Sequence, residues 1–191
     1  MPLVLPVLYG SVRTERQGIA LAQHVAEALR ARGHDAPLID PVERRLPLLD
    51  RMYKEYKGDA PPVLEELAEI YRAADGFVIV SGEYNHSIPP ALSNLLDHFL
   101  EEYFWRPSAI VSYSAGGFAG VRAAMQLRSM LGELGMPSIP SILSVGRIGK
   151  AFDESGQPTD DGFAKRFDRF ARELEWYAEA LKAKRAEGVP Y

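Results

Sequence analysis

Leu3-Val4-Leu5-Pro6-Val7-Leu8-Tyr9, then Gly10-Ser11-Val12-Arg13-Thr14-Glu15-Arg16-Gln17-Gly18, then an Ala/Leu-rich stretch from Ile19, form the first unit of the chain. An apolar run, a turn of small and polar residues and a helical periodicity describe a buried strand passing into a helix. At such a turn the unpaired N–H groups of the helix start meet the positive end of its dipole, an arrangement suited to a phosphate. Ser11 adds a hydroxyl donor, and Arg13 and Arg16 add charge-assisted bonds in a fork geometry. A plain strand–helix turn with two solvated arginines has the same signature, so the nonapeptide alone leaves both readings open.

Outward from this unit the alternation repeats. Ile19–Arg32 has the pattern of an amphipathic helix ended by Gly33, and Ala36–Ile39 that of a short strand. Residues 40–62 are rich in proline and charge and predict an excursion over the surface. Val63–Ala74 is helical, Gly76–Ser81 a strand, Ala91–Glu101 a helix, Ala109–Tyr113 a strand, Val121–Leu134 a helix and Ile139–Val145 a last strand. Phe163–Lys184 closes the chain as a helix, with Phe163, Phe167, Phe170, Leu174, Tyr177 and Leu181 on one stripe that predicts packing on the sheet. Five short apolar strands separated by helices imply a parallel sheet with right-handed crossovers and helices on both faces. The expected fold class is α/β: a flavodoxin-like three-layer sandwich, order 2-1-3-4-5, with residues 1–191 as one domain. Pro6 is at odds with a central first strand, because it removes a ladder donor.

Composition narrows the function classes. A chain of 191 residues suffices for a proper core. Its formal net charge of −4 argues against a nucleic-acid footprint, which needs clustered basic residues. With no cysteine, thiolate chemistry and Cys-ligated metals are excluded, and a reducing cytoplasm is the expected compartment. No stretch approaches the roughly 20 apolar residues of a membrane span, and no signal peptide is evident at the N-terminus. No spacing of metal ligands stands out either.

In an open parallel sheet, ligands sit beyond the carboxyl ends of the strands, where strand order reverses. The loops meeting there are residues 10–18, 82–90 and 114–120. The second is Gly82-Glu83-Tyr84-Asn85-His86-Ser87-Ile88-Pro89-Pro90, with an aromatic face, amides, hydroxyls and a stiff proline pair. The third, Ser114-Ala115-Gly116-Gly117-Phe118-Ala119-Gly120, lets the backbone approach a ligand closely. A phosphate socket beside backbone-rich, aromatic loops suits a phosphorylated planar cofactor such as a flavin.

These motifs, together with Leu92-Ser93-Asn94-Leu95-Leu96-Asp97, give a chain that resembles the NADPH-dependent FMN reductases of the flavodoxin-like superfamily over about residues 3–145. That family includes flavin, quinone, azo-dye and chromate reductases. The resemblance implies FMN with its phosphate at Ser11, Arg13 and the Arg16-Gln17-Gly18 turn. Its isoalloxazine would lie on Glu83, Tyr84, Asn85 and His86, with Ser114, Gly116 and Gly117 near the pyrimidine edge. NADPH or NADH would pass a hydride to flavin N5 and leave, and a small acceptor would follow in ping-pong order, with no protein side chain as catalyst. The sequence departs from many members at Gly82, where they have proline, at Ser93, where they have lysine, and at Arg16, where they have serine, though a subgroup has an arginine and a glycine like Arg16 and Gly18.

Two other readings remain beside this one: a flavodoxin-type electron carrier, and a cofactor-free binding protein on the same fold. Flavodoxins are usually more acidic, with a Ser/Thr-rich phosphate loop, so Arg13 and Arg16 disfavour the carrier. A hydrolase elbow fails at Ser112-Tyr113-Ser114-Ala115-Gly116, which has Ser112 where glycine is needed. The apolar helix of Leu92, Leu95, Leu96 and Phe99, followed by Tyr103, Phe104 and Trp105, has more apolar surface than one sheet face needs. It and helix 121–134 are the expected homodimer face, within a dimer or tetramer.

Overall fold

The computed structural model describes residues 1–191. Five parallel strands, β1 (Val7–Tyr9), β2 (Leu38–Ile39), β3 (Phe77–Gly82), β4 (Ser108–Tyr113) and β5 (Ser138–Val145), lie in the order β2-β1-β3-β4-β5. Helices α1 (Ile19–Ala31) and α6 (Phe163–Glu187) pack on one face, where the core runs through Leu21, Val25 and Leu29 to Phe167, Phe170 and Leu174. Helices α3 (Pro62–Ala73), α4 (Pro90–Asp97) and α5 (Val121–Glu133) cover the other face around Phe77, Ile79 and Ile110. Every residue of β1, β3 and β4 is buried, as continuous apolar runs between two helical layers require.

Pro6 shortens the first strand. The expected strand 3–9 is a ladder only from Val7, with an isolated bridge at Val4–Asp35 before it. The amides of Leu5 and Val7 still donate towards β2, at 2.7 and 2.9 Å, and the Pro6 carbonyl accepts from Val78 at 2.9 Å. The missing donor falls just before β3 begins, so one rung is absent and the centre of the sheet survives.

The expected helix 91–101 also ends early, at Asp97, and a 3₁₀ turn covers Glu101–Tyr103. Leu92, Leu95, Leu96, Phe99 and Tyr103 are fully buried within the chain's own second core. The surplus apolar surface inferred from the sequence is therefore used internally, under the excursion 40–61. That excursion carries a short α2 (Pro41–Arg44) and is tied down by α4: Asn94 Nδ2 donates to the Pro47 carbonyl at 2.8 Å, and the Leu49 amide donates to Asn94 Oδ1 at 2.9 Å. His98, 1% exposed, donates from Nε2 to the same Pro47 carbonyl.

Tyr113, at the carboxyl end of β4, fixes how the loops meet. Its ring fills the space between Gly18 and Gly82, where added Cβ atoms would stand 2.2 and 3.0 Å from its Cζ. The Tyr113 hydroxyl donates to Tyr9 at 3.2 Å and the two rings are stacked 6.4 Å apart. Burial holds both phenols above their ordinary pKa, so they stay protonated near neutral pH. The glycine at 82 is thus the partner of a bulky residue at 113.

Gly18→Ala is expected to lower the urea midpoint by an amount worth about 1–3 kcal/mol, the range for forcing a methyl group into a packed site. The loss shrinks when Tyr113 is shortened to Leu in the same chain, a coupling that a double-mutant cycle reads directly.

Candidate functional site

The loops after β1, β3 and β4 converge on a crevice of about 300 Å³ at the carboxyl edge of the sheet. Ser11, Arg13, Glu15, Arg16 and Gln17 line it from the first loop, Gly82, Glu83 and Tyr84 from the second, and Tyr113, Ser114 and Ala115 from the third. Ile148, from the loop after β5, closes it. A larger hollow of about 570 Å³ around Met1, Arg32, His34 and Glu175 lies at the opposite strand ends and is lined by ion-paired side chains rather than strand-end loops.

The first loop leaves many donors free. The amides of Ser11, Val12, Thr14, Glu15, Arg16 and Gly18 have no acceptor in the protein, and the Arg13 guanidinium has no partner. Ser11, 2% exposed, shares a 2.7 Å hydrogen bond between its Oγ and the Tyr84 hydroxyl, which links the first and second loops. Arg16 behaves differently. Its guanidinium is paired with the buried Asp40 carboxylate and reaches the Ser11 carbonyl at 3.5 Å. It is a support for the loop rather than a free cation.

The second loop is a two-residue turn. Tyr84 and Ser87 exchange backbone hydrogen bonds at 3.0 and 2.9 Å, and Asn85 and His86 between them have φ of 50° and 65°. Positive φ at both central positions makes this a type I′ turn, for which asparagine is well suited. Gln126 of α5 clamps it, donating to the His86 carbonyl and accepting from Ser87 Oγ, both at 2.7 Å. Asn85 and His86 are exposed at the tip of this turn.

Glu83 lines the crevice, but its carboxylate is committed to α5. Its carboxylate pairs with Arg122 and accepts from the Arg122 amide at 3.1 Å, capping the start of α5. Burial pushes its carboxyl up, but the Arg122 guanidinium and the helix amides outweigh this and leave the pKa below the usual range. Of the expected residues, Ser11, Arg13, Arg16, Gln17, Glu83, Tyr84 and Ser114 line the crevice. Gly18 lies under Tyr113, Gly116 faces an adjoining hollow, and Gly117 is exposed beside it. In the third loop the amides of Ala115, Gly116 and Gly117 are free, like those of the first.

The sequence reading missed Tyr113 and the fourth loop. Gly146-Arg147-Ile148-Gly149-Lys150 directly follows an apolar strand, the same signal that marked the other loops. Its Arg147 and Ile148 amides donate to the Gly116 and Ser114 carbonyls at 2.9 and 3.1 Å, so it is built onto the third loop.

Against known proteins, residues 4–150 match the family model for NADPH-dependent FMN reductase. An NAD(P)H-dependent FMN reductase of Schizosaccharomyces pombe is 33% identical over 143 residues, covering 71% of this chain and 70% of that protein. A quinone reductase of Pseudomonas putida is 31% identical over 163 residues, covering 81% and 83%. Among solved structures, a flavoenzyme NAD(P)H:(acceptor) oxidoreductase from Paracoccus denitrificans superposes with a TM-score of 0.77 at 20% identity, over 93% of this chain and 98% of that one. That likeness establishes the flavodoxin-like fold.

Because folding depresses the Glu83 pKa, its stabilising effect is complete above the unfolded value of about 4.3 and disappears as pH falls through the native value. Glu83→Gln is expected to cost about 1.5–3 kcal/mol at pH 7, as for a charged hydrogen bond. The difference from wild type narrows below about pH 4 in denaturant titrations.

Proposed function

The chain belongs to the NADPH-dependent FMN reductase family, a family of oxidoreductases that use NAD(P)H and FMN, and from that premise we propose how it works. It holds FMN in the crevice and passes reducing equivalents from NAD(P)H to a small acceptor. The observation that carries this is the convergence of three strand-end loops whose amides and Arg13 are free to donate. A phosphate dianion fits the first loop, where Ser11 Oγ, the Arg13 guanidinium and unpaired amides gather at the start of α1. Arg16, tied to Asp40, holds the Ser11 carbonyl and so sets the loop's shape.

A planar ring fits against the backbone of the Tyr84–Ser87 turn, with the Ala115, Gly116 and Gly117 amides available to its carbonyl edge. When bound, FMN supplies the hydride chemistry at N5. The protein's part would be to orient the ring and anchor the phosphate. Reductant and acceptor would then bind in turn, the basis of the expected ping-pong kinetics. Quinones, free flavins, azo dyes and metal oxyanions are the acceptor classes. Quinones come first because the Pseudomonas putida relative bears the name quinone reductase.

The working unit is a homodimer. Phe118, in the loop before α5, and Val121 and Met125 on α5 are exposed by 68, 39 and 52%. Leu48 and Leu49 on the excursion are exposed by 86 and 42%. A second copy covering these residues would place each crevice at the seam. Sedimentation is expected to give twice the chain mass, and a monomer at micromolar concentration contradicts the dimer.

The protein loaded with FMN should be yellow and should bleach anaerobically with NADPH when no other reductase is present. Flavin that binds but does not bleach would mean an electron carrier, and failure to bind FMN a cofactor-free protein. Arg13→Ala is expected to weaken FMN binding about 10- to 150-fold, the equivalent of a lost charged contact of about 1.5–3 kcal/mol. Riboflavin, which has no phosphate, should bind both proteins alike.

A further inference from the structure

The resemblance to FMN reductases implied a place for Tyr84 beneath the flavin ring. Its hydroxyl, however, reaches across to the first loop and lies 2.7 Å from Ser11 Oγ, in the crevice that both residues line. We propose that Tyr84 is a positioning residue: its hydroxyl donates to Ser11 Oγ and so turns the Ser11 proton towards the cofactor phosphate. This role rests on the FMN reading above. It goes beyond that reading by giving a side chain of the second loop a part in recognition at the first.

A serine hydroxyl has one proton to give and two acceptor positions to fill. Ser11 is 2% exposed, so its hydroxyl depends on partners in the protein or in the crevice. The protein supplies two neighbours, the Tyr84 hydroxyl at 2.7 Å and the Arg13 amide at 3.4 Å. The amide can only donate. With Tyr84 donating as well, both acceptor positions of Ser11 are filled and its own proton is left for a ligand. With Ser11 donating to Tyr84 instead, the socket loses that donor, and the Tyr84 proton has no acceptor in the protein. A phosphate dianion offers acceptors only, so it selects the first arrangement. Tyr84 then donates to Ser11 and Ser11 to the phosphate, a directed pair in which each bond polarises the next.

The scaffold holds both hydroxyls for this part. The Tyr84 amide and carbonyl close the turn with Ser87 at 3.0 and 2.9 Å, and Gln126 clamps that turn to α5. On the other side, Arg16 reaches the Ser11 carbonyl and is itself anchored on Asp40. Neither end of the pair waits for the ligand to fix it, so little rotamer freedom is lost on binding. The pair also ties the two ends of the crevice together. A phosphate on the first loop engages, through Ser11, the residue that opens the turn on which the ring is proposed to lie.

The test measures binding of FMN and of riboflavin to the full chain by flavin fluorescence, in Tyr84→Phe, Ser11→Ala and the double variant. Tyr84→Phe keeps the ring and removes one oxygen. It is expected to weaken FMN binding about 2- to 12-fold, the equivalent of a neutral hydrogen bond, and to leave riboflavin binding unchanged. Ser11→Ala is expected to weaken FMN binding about tenfold or more, as for a lost bond to a charged group. In the Ser11→Ala background, Tyr84→Phe should change FMN affinity by less than about twofold, because its effect passes through Ser11. Equal FMN affinity in wild type and Tyr84→Phe would overturn the proposal. So would additive losses in the double variant, which mean that Tyr84 touches the phosphate itself, or a matching loss of riboflavin, which means a structural role at the ring. Bleaching by NADPH is read separately. Its failure removes the reductase reading and leaves the affinity ratios in force, whereas a wild type that binds no FMN removes both.

Discussion

The Tyr113 ring, wedged between Gly18 and Gly82, is the contact on which the site's geometry depends. It ends β4 and stacks on Tyr9 at the end of β1, so one aromatic pair spans the point where strand order reverses. The first loop, at Gly18, and the end of β3, at Gly82, both pack against this ring. A side chain at either glycine would force the ring, or one of the loops, to move. Close packing transmits such a shift, because a well-filled interior has no slack to absorb it.

Around that wedge the loops divide their polar groups into two sets. One set is spent on holding loop to scaffold: Glu83 with Arg122, Arg16 with Asp40, and Gln126 with the 84–87 turn. The other set, Arg13 and the amides of the first and third loops, has no partner in the protein. Preorganised donors of this kind bind an anion or a carbonyl edge without first breaking internal bonds. The division explains why two arginines three residues apart, Arg13 and Arg16, have different roles.

The sheet, its order and the helices on each face were legible in the sequence, because apolar runs and helical periodicity report burial directly. Element ends erred by a few residues, as at α4, where Phe99 and Tyr103 continue the apolar pattern beyond the last helical turn. Pattern alone does not separate a helix from a 3₁₀ turn that buries the same side chains. The loops were found from residue type, but the direction of a side chain was not. Glu83 has the chemistry of a ligand residue, yet it caps α5, and only the position of Arg122 across 39 residues decides that. Tyr113 was counted as strand, since nothing local reveals that its ring would meet two glycines distant in sequence. The loop 146–150 carried a readable signal, and its link to the third loop is a tertiary fact.

The central claim is that the phosphate of FMN sits on the first loop. A crystal structure of the protein soaked with FMN tests it most directly. The account predicts the phosphate within hydrogen-bonding distance of Ser11 Oγ, the Arg13 guanidinium and the free amides of residues 11–18, with Arg16 still on Asp40. A phosphate found instead on Arg147 and Lys150, or a flavin outside the crevice, would contradict it.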